Sequence, residues 1–136
     1  MTASKSKTIG YWLLTGLVVV TQGASGFADL IQAQPMLDGV TALGYPPYIL
    51  TILGPFKILG VIVLAIPGCR RLKEWAYAGF FFDFSGAFLS HIYNGDTIDL
   101  VLPAFIATLI LLGSYALRPD SRRLPSLTAN RVSLDA

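Results

Sequence analysis

The sequence predicts an all-α fold: an integral membrane four-helix bundle with both termini in the cytoplasm. Four apolar stretches each approach the ~20 residues that a helix needs to cross the hydrocarbon core of a bilayer. They cover residues 9–30, 48–66, 75–92 and 98–117. The composition agrees, because 54% of the residues are hydrophobic and only 13% are charged. In soluble domains about a quarter of the residues are charged.

The distribution of basic residues predicts the orientation of the four spans. Nine of the ten Lys and Arg residues lie before the first span, between the second and third spans, or after the fourth: Lys5, Lys7, Arg70, Arg71, Lys73, Arg118, Arg122, Arg123 and Arg131. The other two connections, residues 31–47 and 93–97, contain no basic residue. Because cytoplasmic loops are enriched in Lys and Arg, this alternation places both termini in the cytoplasm.

The first predicted span, residues 9–30, has an alternative interpretation. Lys5 and Lys7, the apolar stretch and the small residues Gly26 and Ala28 also resemble a secretory signal peptide. The apolar stretch is longer than the ~7–15 residues of a usual signal core, which favours a retained span.

Turn-forming residues bound the other three spans. Pro46 and Pro47 suit the first turn of the second helix, and Pro67 followed by Gly68 ends it. The Asn-Gly-Asp sequence at 94–96 predicts a tight turn between the third and fourth spans.

Two further segments lie outside the spans. In the first external connection, four apolar residues share one helical face and predict a short surface helix: Met36, Leu37, Val40 and Leu43. Residues 119–136 contain two prolines with scattered Ser and Arg, which predicts a flexible cytoplasmic tail. We therefore expect a single four-span domain, residues 1–118, followed by that tail.

The single cysteine, Cys69, and the single histidine, His91, exclude several chemistries. One thiol cannot form an internal disulfide or a dithiol relay. One imidazole cannot build a histidine-rich metal site or a bis-histidine haem site, so no metal site is predicted. A nucleophile elbow and a nucleotide-binding loop are also missing, which argues against an enzyme acting on its own. The net charge of +2 does not indicate a nucleic-acid partner, because the basic residues gather at one membrane face.

Helical spacing sorts the polar and small residues onto faces. One face of the first span carries Thr15, Gln22, Ser25, Gly26 and Asp29. The third span has a strip of small residues around Asp83, which we expect to face the other helices: Ala76, Gly79, Gly86, Ala87 and Ser90. Phe81, Phe84 and Phe88 are expected to point largely elsewhere. In the second span, Gly54 and Gly60 flank Lys57 and predict close helix packing there.

Lys57 and Asp83 fall near the middle of the second and third spans, so we predict that they contact each other. A lone charge at this depth costs at least ~2.5–3.5 kcal/mol, which such a contact would reduce. Two interpretations remain open. The pair either only fixes which helices pack together, or it is a ligand-binding or proton-responsive group.

Asp29 and His91 are both predicted near the outer membrane interface. A carboxylate beside an imidazole could relay protons. The alternative is that both side chains are simply hydrated, since both lie near the ends of their spans.

Several runs of residues together resemble the DoxX-like family: LGYPPY at 43–48, LGPFKILG at 53–60, LKEWAYAGF at 72–80, then Phe82–Asp83, Gly86, Ser90–His91 and Gly95–Asp96. The resemblance covers about two thirds of the chain. It implies a small four-helix protein of the bacterial inner membrane. The family takes its name from subunits of a thiosulfate:quinone oxidoreductase, and most members have no assigned activity. Lys57, Asp83 and His91 match its recurring polar positions.

Three classes of function follow. The first is a membrane subunit or scaffold that works beside redox or envelope proteins, or as a homo-oligomer, with any activity being that of an oxidoreductase subunit. The second is a binder of a quinone or another apolar ligand in a polar pocket between helices. Its candidate residues are Lys57, Asp83, Asp29, His91, Gln22, Ser90, Tyr45 and Tyr48. The alternative is a transporter or channel for protons or small molecules that uses Lys57 and Asp83.

Overall fold

The computed structural model describes residues 2–126, and this part of the chain contains helices and turns but no strand. Five α-helices follow one another along it: α1 (Thr2–Leu30), α2 (Gln34–Ala42), α3 (Ile49–Ala65), α4 (Arg70–Asn94) and α5 (Ile98–Ala116). A 3₁₀ turn, Asp120–Arg122, comes after α5. The predicted all-α class is confirmed. The helix α2 is the short helix that the sequence predicts in the first long connection.

The four long helices pack side by side, each against two others. The helix α1 packs along α3 and also contacts α5, and α4 contacts both α5 and α3. The short helix α2 contacts α1 and α3. A buried cluster centred on Val18, Leu64, Tyr77, Phe84 and Leu111 fills the space between the long helices.

The outer surface of these helices is apolar. Large exposed hydrophobic side chains occur on every long helix, among them Leu13, Val20, Phe56, Phe82 and Leu109. Helices that are hydrophobic outside as well as inside are typical of membrane proteins. Two helices are long and apolar enough to cross a membrane, judged by length and composition: α1 from Ser4 to Leu30 and all of α5. The helix α3 is also apolar but has only 17 residues.

Glycines let α1 and α3 approach each other closely. A Cβ atom added to Gly26 would lie 3.1 Å from the Gly54 carbonyl oxygen and 2.9 Å from the Lys57 Cβ. A Cβ atom added to Gly54 would lie 3.0 Å from the Gly26 carbonyl oxygen. On the other side of α3, a Cβ atom on Gly60 would lie 2.7 Å from the Phe80 ring. The close packing predicted around Gly54 and Gly60 is therefore present.

The interior face of α4 differs from the prediction. The buried residues of α4 are Lys73, Tyr77, Phe80 and Phe84, so the prediction that Phe84 points away from the other helices is wrong. The predicted small-residue strip does not pack closely at Gly79 and Gly86, where an added Cβ atom would have no neighbour within 4 Å, whereas Ala76 of the same strip lies against the buried cluster. The physical reason is volume, since aromatic side chains fill the wide space between four helices better than glycine.

Basic side chains cap helices at one end of the molecule, which we call the basic end: α3 and α5 end there and α4 begins there. Lys73 is fully buried, and its ammonium donates to the carbonyl oxygens of Val63 and, at 2.5 Å, Ile66. The Arg122 guanidinium donates to the carbonyl oxygens of Leu64 at 2.7 Å and Ala65 at 3.3 Å. The last carbonyls of a helix have no partner inside the helix and attract cations, so these contacts complete the end of α3.

Arg122 belongs to the segment predicted to be a flexible tail, residues 119–136. It is buried, and its guanidinium donates to the Tyr11 hydroxyl of α1 at 3.2 Å as well as to the end of α3. The beginning of this segment is thus held by hydrogen bonds, while residues 127–136 lie outside the described residues.

We predict that Arg122→Gln lowers the free energy of unfolding in detergent by ~1–3 kcal/mol, because it leaves buried carbonyls at the end of α3 without a donor. Thermal and chemical unfolding of the purified full chain would measure this. The control is Lys7→Gln, which removes the same charge from an exposed position and should change stability by less than ~0.5 kcal/mol. Equal losses in both variants would show that Arg122 does not fasten this segment.

Candidate functional site

A group of charged side chains lies between α1, α3 and α4. The Lys57 Nζ lies 2.8 Å from the Asp29 Oδ2 and 3.1 Å from the Ser25 Oγ. The Asp83 Oδ2 lies 4.0 Å from the same nitrogen. The exposed fraction of the side chain is 1% for Asp29, 14% for Lys57 and 23% for Asp83. We call these four residues the Lys57 cluster.

The crossing of α1 and α3 positions the inner part of this cluster. Gly26 and Gly54 bring the two backbones together, and Lys57 lies one turn beyond Gly54 along α3. Ser25 and Asp29 are four residues apart and therefore lie on one face of α1. The long Lys57 side chain reaches both of them across the crossing point. Asp83 comes from α4, so the cluster joins three helices.

The predicted proximity of Lys57 and Asp83 is present, but the closer partner of Lys57 is Asp29. Asp29 and His91, for which a proton relay and simple hydration were both open, have different partners: Asp29 pairs with Lys57 and is buried. The His91 Nδ1 instead lies 2.7 Å from the Asp96 Oδ2. Gly95, with a φ of 76°, turns the chain back after α4 and brings Asp96 beside His91.

The sequence predicts Asp29 at the outer membrane interface because this residue lies near the end of the first span. The signal that could have paired it with Lys57 is the pair of glycines, Gly26 and Gly54. Each lies one helical turn from one member of the ion pair, on the faces that meet.

Hydrogen bonds organise the end of the molecule opposite the basic end. The Tyr45 hydroxyl donates to the Ser90 Oγ at 2.7 Å, and Ser90 donates in turn to the Gly86 carbonyl oxygen. This contact ties the segment before α3 to α4. His91 and Asn94 donate hydrogen bonds to the Asp96 carboxylate and hold its pKa below the ordinary value. The pairs Tyr45–Ser90 and His91–Asp96 lie here, apart from the Lys57 cluster.

Two predicted pocket residues make no side-chain hydrogen bond within residues 2–126. Gln22 is half-buried on α1, seven residues before Asp29 and therefore on the same face of the helix. Tyr48 is largely exposed, directly before α3. Within the described residues, neither side chain forms a hydrogen bond with the Lys57 cluster.

The helices α3 and α4 are in close contact near Phe80, and Ser90 of α4 contacts the segment before α3. Phe80 packs against Gly60 toward the basic end, and Tyr45 contacts Ser90 at the other end. Asp83 and Gly86 lie between these two contacts, and Gly79, directly before Phe80, shares their face of α4. Both glycines are exposed and have open space where a Cβ would be. We call the surface formed by Gly79, Asp83 and Gly86 beside α3 the α3–α4 cleft; Lys57 and Asp83 are partly exposed there.

A second polar network, of hydroxyl groups alone, is fully buried. The Ser114 Oγ lies 2.6 Å from the Thr15 Oγ1 and 2.7 Å from the Tyr77 hydroxyl. It joins α1, α4 and α5 and satisfies all three hydroxyls, which is what buried polar groups require. In the sequence, Thr15 and Ser114 are polar residues inside predicted spans. Spacing along a single helix does not reveal that they contact each other across helices.

The charges of the Lys57 cluster do not balance. One ammonium faces two carboxylates, so the cluster carries one negative charge when all three groups are ionised. In low dielectric such an excess is costly unless a proton or a hydrogen-bond donor compensates it. No group of three or more metal-ligating side chains occurs within the described range. The ammonium, the hydroxyl and the two carboxylates of the cluster can form hydrogen bonds, and the carboxylates can bind a proton.

A separate groove of about 350 Å³ lies between α4 and α5. None of the eight predicted pocket residues lines it. The ligand pocket predicted from sequence is thus not this groove.

An apolar exterior and two helices, α1 and α5, that are long and apolar enough to cross a membrane are typical of a small helical membrane protein. The model of the DoxX-like family matches residues 13–113, and the chain belongs to this family. The matched range contains the whole Lys57 cluster. The search of curated proteins found no match, and neither did the search of solved structures.

We predict that the coupling of Lys57 to Asp29 is stronger than its coupling to Asp83. Asp29→Asn should lower the free energy of unfolding in detergent by ~3–5 kcal/mol, because it strands a largely buried ammonium. Adding Lys57→Met should restore much of that loss. Asp83→Asn should cost less, because the carboxylate is farther away and more exposed.

Double-mutant cycles of unfolding in detergent would measure both couplings. Asp38→Asn is the matched control, since Asp38 is exposed on α2 and pairs only with Gln34 within residues 2–126. Additive losses for Asp29 and Lys57 would contradict the pairing seen in the structure.

Proposed function

We propose that this chain is a multi-pass protein of the bacterial inner membrane, in which α1, α3, α4 and α5 cross the bilayer as a four-helix bundle. Both termini and the basic end would lie in the cytoplasm. The support is the gathering of Lys73, Arg118, Arg122 and Arg123 at one end of the helices, together with the positive-inside distribution of basic residues.

We further propose that the protein is a membrane subunit or scaffold that binds a quinone, or another apolar molecule with a polar head, at the Lys57 cluster. The observation that carries this proposal is the second carboxylate. Asp29 alone, at 2.8 Å and almost fully buried, already supplies Lys57 with a partner. Asp83 adds a negative charge that packing does not require, and it is partly exposed in the α3–α4 cleft.

The chemistry of the cleft suits such a ligand. The Lys57 ammonium can donate a hydrogen bond to a ligand carbonyl oxygen, and the Asp83 carboxylate can accept one from a ligand hydroxyl. The exposed glycines on either side leave room for a flat ring, and the cleft opens toward the lipid in which apolar ligands dissolve. A redox partner protein would exchange electrons with a bound quinone, which fits the role of a subunit.

The excess charge also supports a second candidate, a proton pathway. Asp83 could take up a proton that neutralises the cluster and release it when Lys57 moves. In that case the protein would be a small transporter, and Asp83→Asn would abolish proton flux into liposomes rather than ligand binding.

We predict that the purified protein binds a soluble short-chain ubiquinone and that Asp83→Asn and Gly86→Leu each weaken this binding at least tenfold. The first change removes the acceptor, and the second fills the cleft. Because Gly86 has open space around it, the leucine should not disturb folding. Gly16→Leu is the matched control, since a Cβ at Gly16 also meets nothing within 4 Å.

Titration followed by tryptophan fluorescence, with native mass spectrometry of gently extracted protein, would measure binding. If Gly86→Leu and Gly16→Leu bind equally, the ligand does not enter through the α3–α4 cleft. If the unchanged chain binds no quinone and retains no other apolar molecule, the ligand-binding proposal fails and proton flux becomes the test.

We predict the orientation to be testable with single cysteines at Thr41 and Ser126 in a Cys69→Ser background, because the native Cys69 is exposed. A membrane-impermeant thiol reagent added to intact spheroplasts should label Thr41→Cys. It should label Ser126→Cys only after the membrane is opened. Labelling of Ser126→Cys from outside would contradict the proposed topology.

A further inference from the structure

The groove between α4 and α5 has the character of a site for a hydrocarbon chain. Its volume is about 350 Å³, within the range of small-molecule sites. Six aromatic and aliphatic side chains line it: Tyr77, Phe81, Phe82, Leu111, Leu112 and Tyr115. The small side chain of Ala78 leaves space among them, and the one charged residue of the lining is Glu74.

The groove starts at the basic end and is short. Its lining on α4 runs from Glu74 to Phe82, which is about 12 Å at 1.5 Å per residue. A bilayer has a hydrocarbon core of about 30 Å. The groove therefore spans less than one leaflet, and in the orientation proposed above this is the cytoplasmic leaflet.

The rim of the groove carries a net positive charge. Both oxygens of Glu74 are occupied: Oε1 accepts from the Arg118 Nη1 at 2.5 Å, and Oε2 accepts from the Tyr115 hydroxyl at 2.9 Å. The Arg118 guanidinium also lies 3.7 Å above the Tyr115 ring. Arg71, one turn before Glu74 on the same face of α4, is exposed. Glu74 is thus neutralised by Arg118, and helical spacing places the positive charge of Arg71 one turn before Glu74, at the basic end of the groove.

We propose that this groove binds one acyl chain of an anionic phospholipid of the cytoplasmic leaflet, with the phosphate beside Arg71. Basic sites between transmembrane helices on the cytoplasmic side suit anionic head groups. A second helix is the less suitable occupant, because helix association in membranes relies on small residues and this lining contains only Ala78. The proposal rests on the membrane orientation given above and is independent of quinone binding.

The test compares two lipids of equal chain length on the purified full chain. Dioleoyl phosphatidylglycerol and dioleoyl phosphatidylcholine are added in equal amounts to detergent micelles, and native mass spectrometry counts the adducts. The unchanged chain should retain phosphatidylglycerol preferentially. Arg71→Gln should lower that preference about fivefold, the weight of one interfacial basic residue. Ala78→Phe should reduce the adducts of both lipids, because it fills the groove.

Two controls match these variants. Lys7→Gln removes an exposed charge outside the groove, and Leu109→Phe enlarges an exposed side chain elsewhere on α5. Both should behave like the unchanged chain. If Ala78→Phe does not fold, Arg71→Gln still tests the proposal, because Arg71 is exposed and its substitution leaves the helix packing intact.

Three results would overturn the proposal. They are equal retention of the two lipids by the unchanged chain, an equal effect of Arg71→Gln and Lys7→Gln, and a dimer that Ala78→Phe abolishes, which would put a second copy in the groove. A lack of quinone binding with the lipid preference intact would refute only the ligand proposed for the Lys57 cluster. Labelling that places the basic end outside would refute the leaflet assignment separately.

Discussion

The close approach of Gly26 and Gly54 is the constraint on which the rest of the structure depends. It brings the backbones of α1 and α3 so near that a Cβ on either residue would clash with the partner helix. This contact sets the depth at which Lys57 meets Ser25 and Asp29. The opposite face of α3 then offers Gly60 to the Phe80 ring of α4. One crossing thus fixes both the position of the charged cluster and the place where α4 can dock.

At the basic end the same residues serve two physical purposes. Lys and Arg in cytoplasmic loops orient a membrane protein during insertion. Here Lys73 and Arg122 are also buried and donate to the last carbonyls of α3, and Arg118 holds Glu74. The free energy of these contacts comes from carbonyls that would otherwise be unpaired in a region of low dielectric. A pattern that predicts topology therefore also predicts, in this fold, which residues close the ends of the helices.

The helices, the family and the proximity of Lys57 and Asp83 could be predicted from the sequence. Hydrophobic length, turn residues and the depth of a charge within a span can each be read from a single segment of the chain. The sequence does not predict the pairing of Lys57 with Asp29. Spacing along one helix shows which face a residue occupies, but it does not show which residues of a neighbouring helix lie at the same level. The sequence also did not predict that aromatic residues occupy most of the interior face of α4. Two rules compete there: small residues favour close packing, and aromatic residues fill volume. Tyr77, Phe80 and Phe84 fill the interior, and no single-helix pattern decides that competition.

The two carboxylates of the Lys57 cluster differ in a way that separates stability from function. The Asp29 Oδ2 lies 2.8 Å from the Lys57 Nζ, and Asp29 is almost fully buried. Its charge therefore stabilises the Lys57 ammonium at the crossing of α1 and α3. Asp83 lies farther away, is partly exposed, and sits between glycines that leave open space. A change of protonation or a new hydrogen bond at Asp83 can therefore occur without breaking the inner pair. Because Asp29 fastens α1 to α3 through Lys57, the more exposed Asp83 is the carboxylate that can accept a new hydrogen bond or a proton.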